Sequence, residues 1–93
     1  MPKFIDHHPK MDMSKMPPEA VQKGQEMLKQ LRSDILAKRA DRFGMTTINV
    51  YLGSNGESWC ITDAPSVDAV LKTHESNGVK LSRSDVTEVT PLA

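Results

Sequence analysis

Residues 3–8, KFIDHH, split by alternation into two sets: Phe4, Asp6 and His8 on one side of an extended run, Ile5 and His7 on the other. Side chains of a strand point alternately to its two faces, so this segment reads as a first strand, ended by Pro9. The period then changes. Ala20, Gly24, Met27, Leu28, Leu31 and Ile35 recur on one helical face, while Lys23, Gln25, Lys29, Arg32 and Arg39 lie largely off it. This spacing predicts an amphipathic helix of about five or six turns. Pro17-Pro18 suits its first turn, where a missing N–H costs nothing. Gly44, after Phe43, is its expected stop signal.

Period two returns over Thr46 to Leu52, with Ile48, Val50 and Leu52 on one face. Asn55-Gly56 marks a hairpin turn, and Ser58 to Thr62 is the returning strand. Ser66 is a fitting N-cap for a second helix, in which Val67, Val70, Leu71 and His74 share a face and Asn77-Gly78 ends the pattern. Asp85 to Val89 reads as a last strand, closed by Pro91. The order β-α-β-β-α-β is that of the split βαβ, ferredoxin-like α+β arrangement. It predicts one domain over residues 1–93, with an antiparallel four-stranded sheet in the order 4-1-3-2 and both helices on one face. The uncovered face is a natural surface for a second copy of the chain.

That topology brings distant residues together. The end of strand 1, the beginning of strand 3 and the end of helix 2 all lie at one edge of the sheet. His7 and His8, Cys60, and His74 are therefore expected to converge there, with Asp6 beside them. Alternation separates the adjacent imidazoles. If Ile5 faces the helices, His7 points toward His74 and His8 looks onto the open face with Asp6; the opposite choice puts His8 with His74. Imidazole, carboxylate and thiolate together suit nickel, zinc or copper(II), whereas magnesium and calcium want oxygen ligands alone. Glu75 is a further donor within reach of the same edge. The plainer reading makes His74 a packed helix residue, His7 and His8 a solvated strand end and Cys60 a small buried hydrophobe. Met11, Met13 and Met16 offer thioethers that favour copper(I), or else adaptable loop packing.

Composition narrows the field of partners. The 93 residues carry 12 basic and 12 acidic side chains and only 4% aromatics, unlike a general nucleic-acid binder, which needs a basic face and stacking rings. No apolar run approaches the roughly 20 residues that cross a bilayer, and MPKFIDHHPK lacks the apolar stretch of a signal peptide. With Cys60 the only cysteine, no intramolecular disulfide can form. A cytoplasmic protein that avoids nucleic acid and membrane is the expectation. Enzyme signatures are thin. No glycine-rich phosphate loop is present, and Cys60 on a strand lacks the cationic setting that activates a thiol.

Three segments, MPKFIDHH, WCITDAPSVDAVLKTHE and DVTEV, resemble a family of small ferredoxin-like proteins catalogued as a domain of unknown function, which includes a bacterial nickel-binding protein. The shared pattern is Met-Pro, an apolar residue and Asp-x-His on strand 1, a cysteine in strand 3, Ala-Pro-Ser at a helix entry, and a His-Glu or His-Arg pair near that helix's end. Here these are Asp6 and His8, Cys60, Ala64-Pro65-Ser66, and His74-Glu75. The likeness covers the first ten residues and roughly positions 45–90; residues 11–43 look longer and more charged than the family pattern. It implies a homodimer through the sheet faces, in the manner of dimeric α/β barrels, and divalent metal binding through His8 and His74. His7 falls where members often have an apolar residue. The expectation is a non-catalytic, nickel-like metal-binding homodimer with His8 and His74 as ligands and Asp6, His7 and Cys60 as candidates for the rest. The alternatives are a dimeric α/β-barrel enzyme or small-ligand protein whose inter-sheet pocket is lined by His8, Tyr51 and Trp59, and a purely structural or regulatory interaction domain.

Overall fold

The computed structural model describes residues 1–10 and 13–93, Met13 by its backbone. The Met11 and Met13 thioethers, read either as copper(I) donors or as adaptable loop packing, lie outside the described residues. The elements follow the expected order: β1 (Lys3–His8), α1 (Pro18–Ala37), β2 (Thr46–Leu52), β3 (Ser58–Asp63), α2 (Val67–Ser76) and β4 (Val86–Val89). Short 3-10 turns stand at Met13–Lys15 and Arg83–Asp85. The sheet runs β2-β3-β1-β4, and every neighbouring pair is antiparallel. This is the ferredoxin-like α+β fold.

Local chemistry explains the boundaries. Gly56 closes the β2–β3 hairpin at φ 92°, with its N–H bonded to the Gly53 carbonyl. Ser66 caps α2 by accepting the Ala69 N–H, and Gly78 ends it at φ 78°. The first helix stops earlier than its pattern suggested. It ends at Ala37, with Lys38 in the left-handed conformation, φ 53°. Gly44 also has positive φ, but it serves the loop that follows. That loop is organised by Asp41, whose Oδ1 accepts the N–H groups of Phe43 and Met45. Those two donors are thereby committed to a turn, and the helix cannot run through them.

The buried apolar residues are Phe4, Met45, Ala64, Ala69 and Val70, with Phe43, Val67, Leu81 and Val86 packed around them. They lie mostly between α2 and the sheet. Phe4 and Asp6 are the fully buried residues of β1, so Phe4, Asp6 and His8 face the helices and Ile5 and His7 face away. In register with them, Thr62, Cys60 and Ser58 on β3 and Val50 and Leu52 on β2 share the helix side. Helix α1 covers that side at β2, where Leu31 and Ile35 approach Val50 through a groove that Leu28 also lines. Yet α1 buries no residue completely, and Leu28 stays 52% exposed.

Strand β2 forms one edge of the sheet and carries a bulge between Thr47 and Asn49, which leaves Ile48 without a cross-strand partner. Just past the bulge, the Val50 N–H donates to the side-chain oxygen of its neighbour Asn49, 2.8 Å away. Among the described residues no helix is long and apolar enough to cross a membrane.

Candidate metal centre

Three elements supply one cluster. β1 brings Asp6 and His8 on its helix-facing side. β3 brings Cys60, directly opposite Asp6 in the ladder. α2 brings His74, eight residues beyond its N-cap and in its last turn, where the His74 carbonyl accepts the N–H groups of Asn77 and Val79. One ligand atom from each of Asp6, His8, Cys60 and His74 can be chosen so that all lie within 4.8 Å of one another.

Asp6 is the hub and is fully buried. Its Oδ2 accepts a hydrogen bond from His8 Nε2–H at 2.6 Å and pairs with His74 Nε2 at 3.2 Å. The two imidazoles stack, centroids 5.2 Å apart. The other ring nitrogen of His74, Nδ1–H, donates to the Val70 carbonyl at 2.7 Å. That bond fixes the ring's orientation and leaves Nε2 aimed into the cluster, the second-partner arrangement common to metal-binding histidines. Asp6 Oδ1 has no hydrogen-bond partner among the described residues, although it is buried. A buried carboxylate oxygen without a partner is costly, and here it sits amid nitrogen and sulfur donors.

Protonation follows from this packing. Burial pulls the His74 pKa down, but the bond to Asp6, the Val70 carbonyl and the Asp6 charge outweigh it, and the result lies above the ordinary histidine value. Burial likewise works to raise the Asp6 pKa, yet hydrogen bonds and charge from His74 and His8 hold it below the usual carboxylate range. His74 thus holds its proton more firmly than an ordinary histidine, and both of its ring nitrogens face acceptors, Nε2 the Asp6 carboxylate and Nδ1 the Val70 carbonyl. Cys60 is the opposite case. Burial, then the nearby Asp6 charge, push its thiol up to about 12. It is a neutral thiol at physiological pH and no nucleophile by itself.

His7, the remaining candidate, lies on the other face of the sheet. Its Nε2–H donates to Glu57 Oε2 at 2.6 Å, and its ring leans on Trp59 with centroids 5.6 Å apart. Trp59 is in register with both His7 and Tyr51. The open-face row is therefore His7, Trp59 and Tyr51, and a pocket between sheets would meet His7 rather than His8. Glu75 is exposed and stands outside the cluster. Two features escaped sequence reading. Glu57 as the partner of His7 follows from the hairpin register once β1 is placed beside β3. Thr62, whose buried hydroxyl also lacks a partner among the described residues, gives no signal in a hydrophobicity pattern.

The donor set fits a transition-metal ion: two imidazole nitrogens, one sulfur and one carboxylate oxygen, with the orphaned Oδ1 of Asp6 available. A bound ion would supply a positive charge that joins α2 to β1 and β3. Neither a protein-family model nor a curated protein matches the chain. Among solved structures, the crystal structure of SCO4226 from Streptomyces coelicolor A3(2) is similar, with a TM-score of 0.57 over 98% of this chain and 99% of that one. The two share 22% sequence identity, a likeness that establishes the fold.

Proposed function

We propose that the chain is a non-catalytic binding protein for a divalent transition metal, with nickel first and zinc and copper(II) as rivals. Asp6, His8, Cys60 and His74 are its ligands. The observation that carries this reading is the gathering of four donors from three elements around a buried carboxylate oxygen with no partner of its own. Four protein ligands can fill a tetrahedral set, which leaves no open position for a substrate and favours holding over turnover. The ranking of nickel rests on the family resemblance in the sequence; the donor types are equally suited to zinc. A thiol ligand is best preserved in a reducing compartment, hence the cytoplasm.

Calorimetric titration with nickel, zinc and copper(II) tests the site, with His8→Ala as the control expected to lose binding. Protons are the sharper readout. His74 must give up its extra proton and Cys60 its thiol proton before either can ligate. Because both groups hold their protons more firmly than usual, affinity rises with pH and falls steeply in acid. Titration at neutral pH in two buffers of different ionisation enthalpy should give at least one proton released per metal ion, that of the Cys60 thiol. Release of none would remove Cys60 from the ligand set.

The same proposal includes a homodimer through the open sheet face. Ile5, Trp59 and Ile61 are half-buried there and Tyr51 is exposed. The charges on this face are already matched, Lys3 with Asp63 at 2.7 Å and His7 with Glu57 at 2.6 Å. A second sheet can cover it without stranding a buried charge. Sedimentation should give a dimer for the natural chain and a monomer for Ile61→Asp. A natural chain that sediments as a monomer defeats this part of the proposal and leaves the metal site standing.

A further inference from the structure

Thr73 is the buried polar residue of α2, and it immediately precedes His74. Its hydroxyl donates to Asp41 Oδ2, contributed by the loop between α1 and β2. Asp41 is a brace with two ends. Its Oδ1 holds the Phe43 and Met45 N–H groups at 2.8 and 3.0 Å, and its own N–H donates to the Met45 carbonyl at 2.9 Å. Met45 belongs to the buried core, so the loop end of the brace is anchored.

The helix end needs such an anchor. α2 is only ten residues long and buries just Ala69, Val70 and Thr73. Small apolar contacts resist separation well, but they resist rotation about the helix axis poorly. A hydrogen bond from Thr73 to a fixed loop sets that rotation, and with it the direction in which the next residue, His74, projects. Ligand sites need their groups held to within about 0.5 Å and 10–20°. The 3.2 Å approach of His74 Nε2 to Asp6 depends on that angle.

We infer that Asp41, acting through the Thr73 hydroxyl, is the positioning residue of the metal centre: it fixes the rotation of α2 that aims His74 at Asp6. The inference rests on the metal reading above. Asp41 stands outside the four-residue cluster, and both its carboxylate oxygens are engaged by the loop and by Thr73.

Cobalt(II) is the probe, because its visible absorption reports coordination geometry and its thiolate charge-transfer band reports Cys60. The full chain is compared with Thr73→Val, which keeps the shape of the side chain and removes only the hydroxyl, and with Thr73→Ser, which restores the hydroxyl. Thr73→Val should weaken cobalt(II) binding about tenfold or more, the lower end of the loss seen when a ligand's supporting partner is removed, and alter the visible band. Thr73→Ser should recover both. Asp41→Ala should weaken binding as well, and the double variant Asp41→Ala with Thr73→Val should be no worse than the weaker single one, because both act through one bond. Natural affinity and spectrum in Thr73→Val, even with a lowered melting temperature, overturn the inference by making the bond merely structural. Additive losses overturn it too. If Thr73→Val does not fold, Asp41→Ala against Asp41→Asn decides, since asparagine keeps an acceptor for the loop and a donor for Thr73. Failure of the natural chain to take up cobalt(II) sinks the metal reading itself and this inference with it.

Discussion

In calorimetric titration, His74→Ala is expected to take up no nickel, zinc or copper(II) while keeping its fold. His74 is the one ligand that α2 contributes, so its loss leaves β1 and β3 with a three-donor remnant. Removing a supporting partner of a ligand already costs 10–100-fold, and removing the ligand should exceed about 100-fold. The fold survives because His74 lies at the rim of the cluster with its side chain 11% accessible, and His8 still donates to Asp6. Asp6 loses the hydrogen bond that does most to hold its pKa down, however, so its carboxyl pKa should rise. Circular dichroism matching the natural chain, together with absent binding heat, is the expected pair of observations. Unchanged affinity would exclude His74 from the site.

Phe4→Ala should bring the protein close to unfolding. Phe4 is 1% exposed and is the largest of the fully buried side chains. Truncating a buried phenylalanine costs about 3–5 kcal/mol, against a total stability of roughly 5–14 kcal/mol for any domain of 93 residues. The small size of the core places this chain toward the lower figure. Leu28→Ala provides the contrast. Leu28 sits on the amphipathic stripe of α1 but remains half-exposed, so its truncation should change stability by no more than about 0.5–1 kcal/mol. Urea unfolding of the two variants measures the difference. Equal losses would mean that α1 is buried against something, as it would be in an assembly.

The contrast between Phe4 and Leu28 also marks how far the sequence could be read. Element order, the Asn55-Gly56 turn, the Ser66 cap and the Asn77-Gly78 stop are written in local chemistry, and each stands where its residues put it. Local patterns say nothing of depth, so the regular stripe of α1 looks as core-like as that of α2 and is not. The end of α1 departs from its sequence pattern for a related reason. Gly44 is a genuine left-handed position, but the helix had already ended at Ala37, and the Asp41 turn that excludes it uses side-chain oxygens no helical period contains. The candidate site divides in the same way. Topology alone gathers His8, Cys60 and His74 at one edge. Which face of β1 turns inward was unreadable, because a hydrophobicity rule prefers Ile5 inside and Asp6 outside. Asp6 is inside because His8 and His74 satisfy its charge, and His74 lies 68 positions further along the chain.

The bulge at Ile48 bears on a different hazard, that of fibril growth. TTINVYL is rich in β-branched and aromatic residues, carries no charge and lies at the rim of the sheet, with Tyr51 and Leu52 substantially exposed. Such a segment is a template on which further chains can stack. A bulge bends and twists the strand out of the straight register that stacking requires. Asn49 adds to this by occupying the Val50 N–H with its own side-chain oxygen, so an arriving strand finds one donor fewer to pair with. An edge with so inviting a sequence is thereby kept from recruiting its own kind.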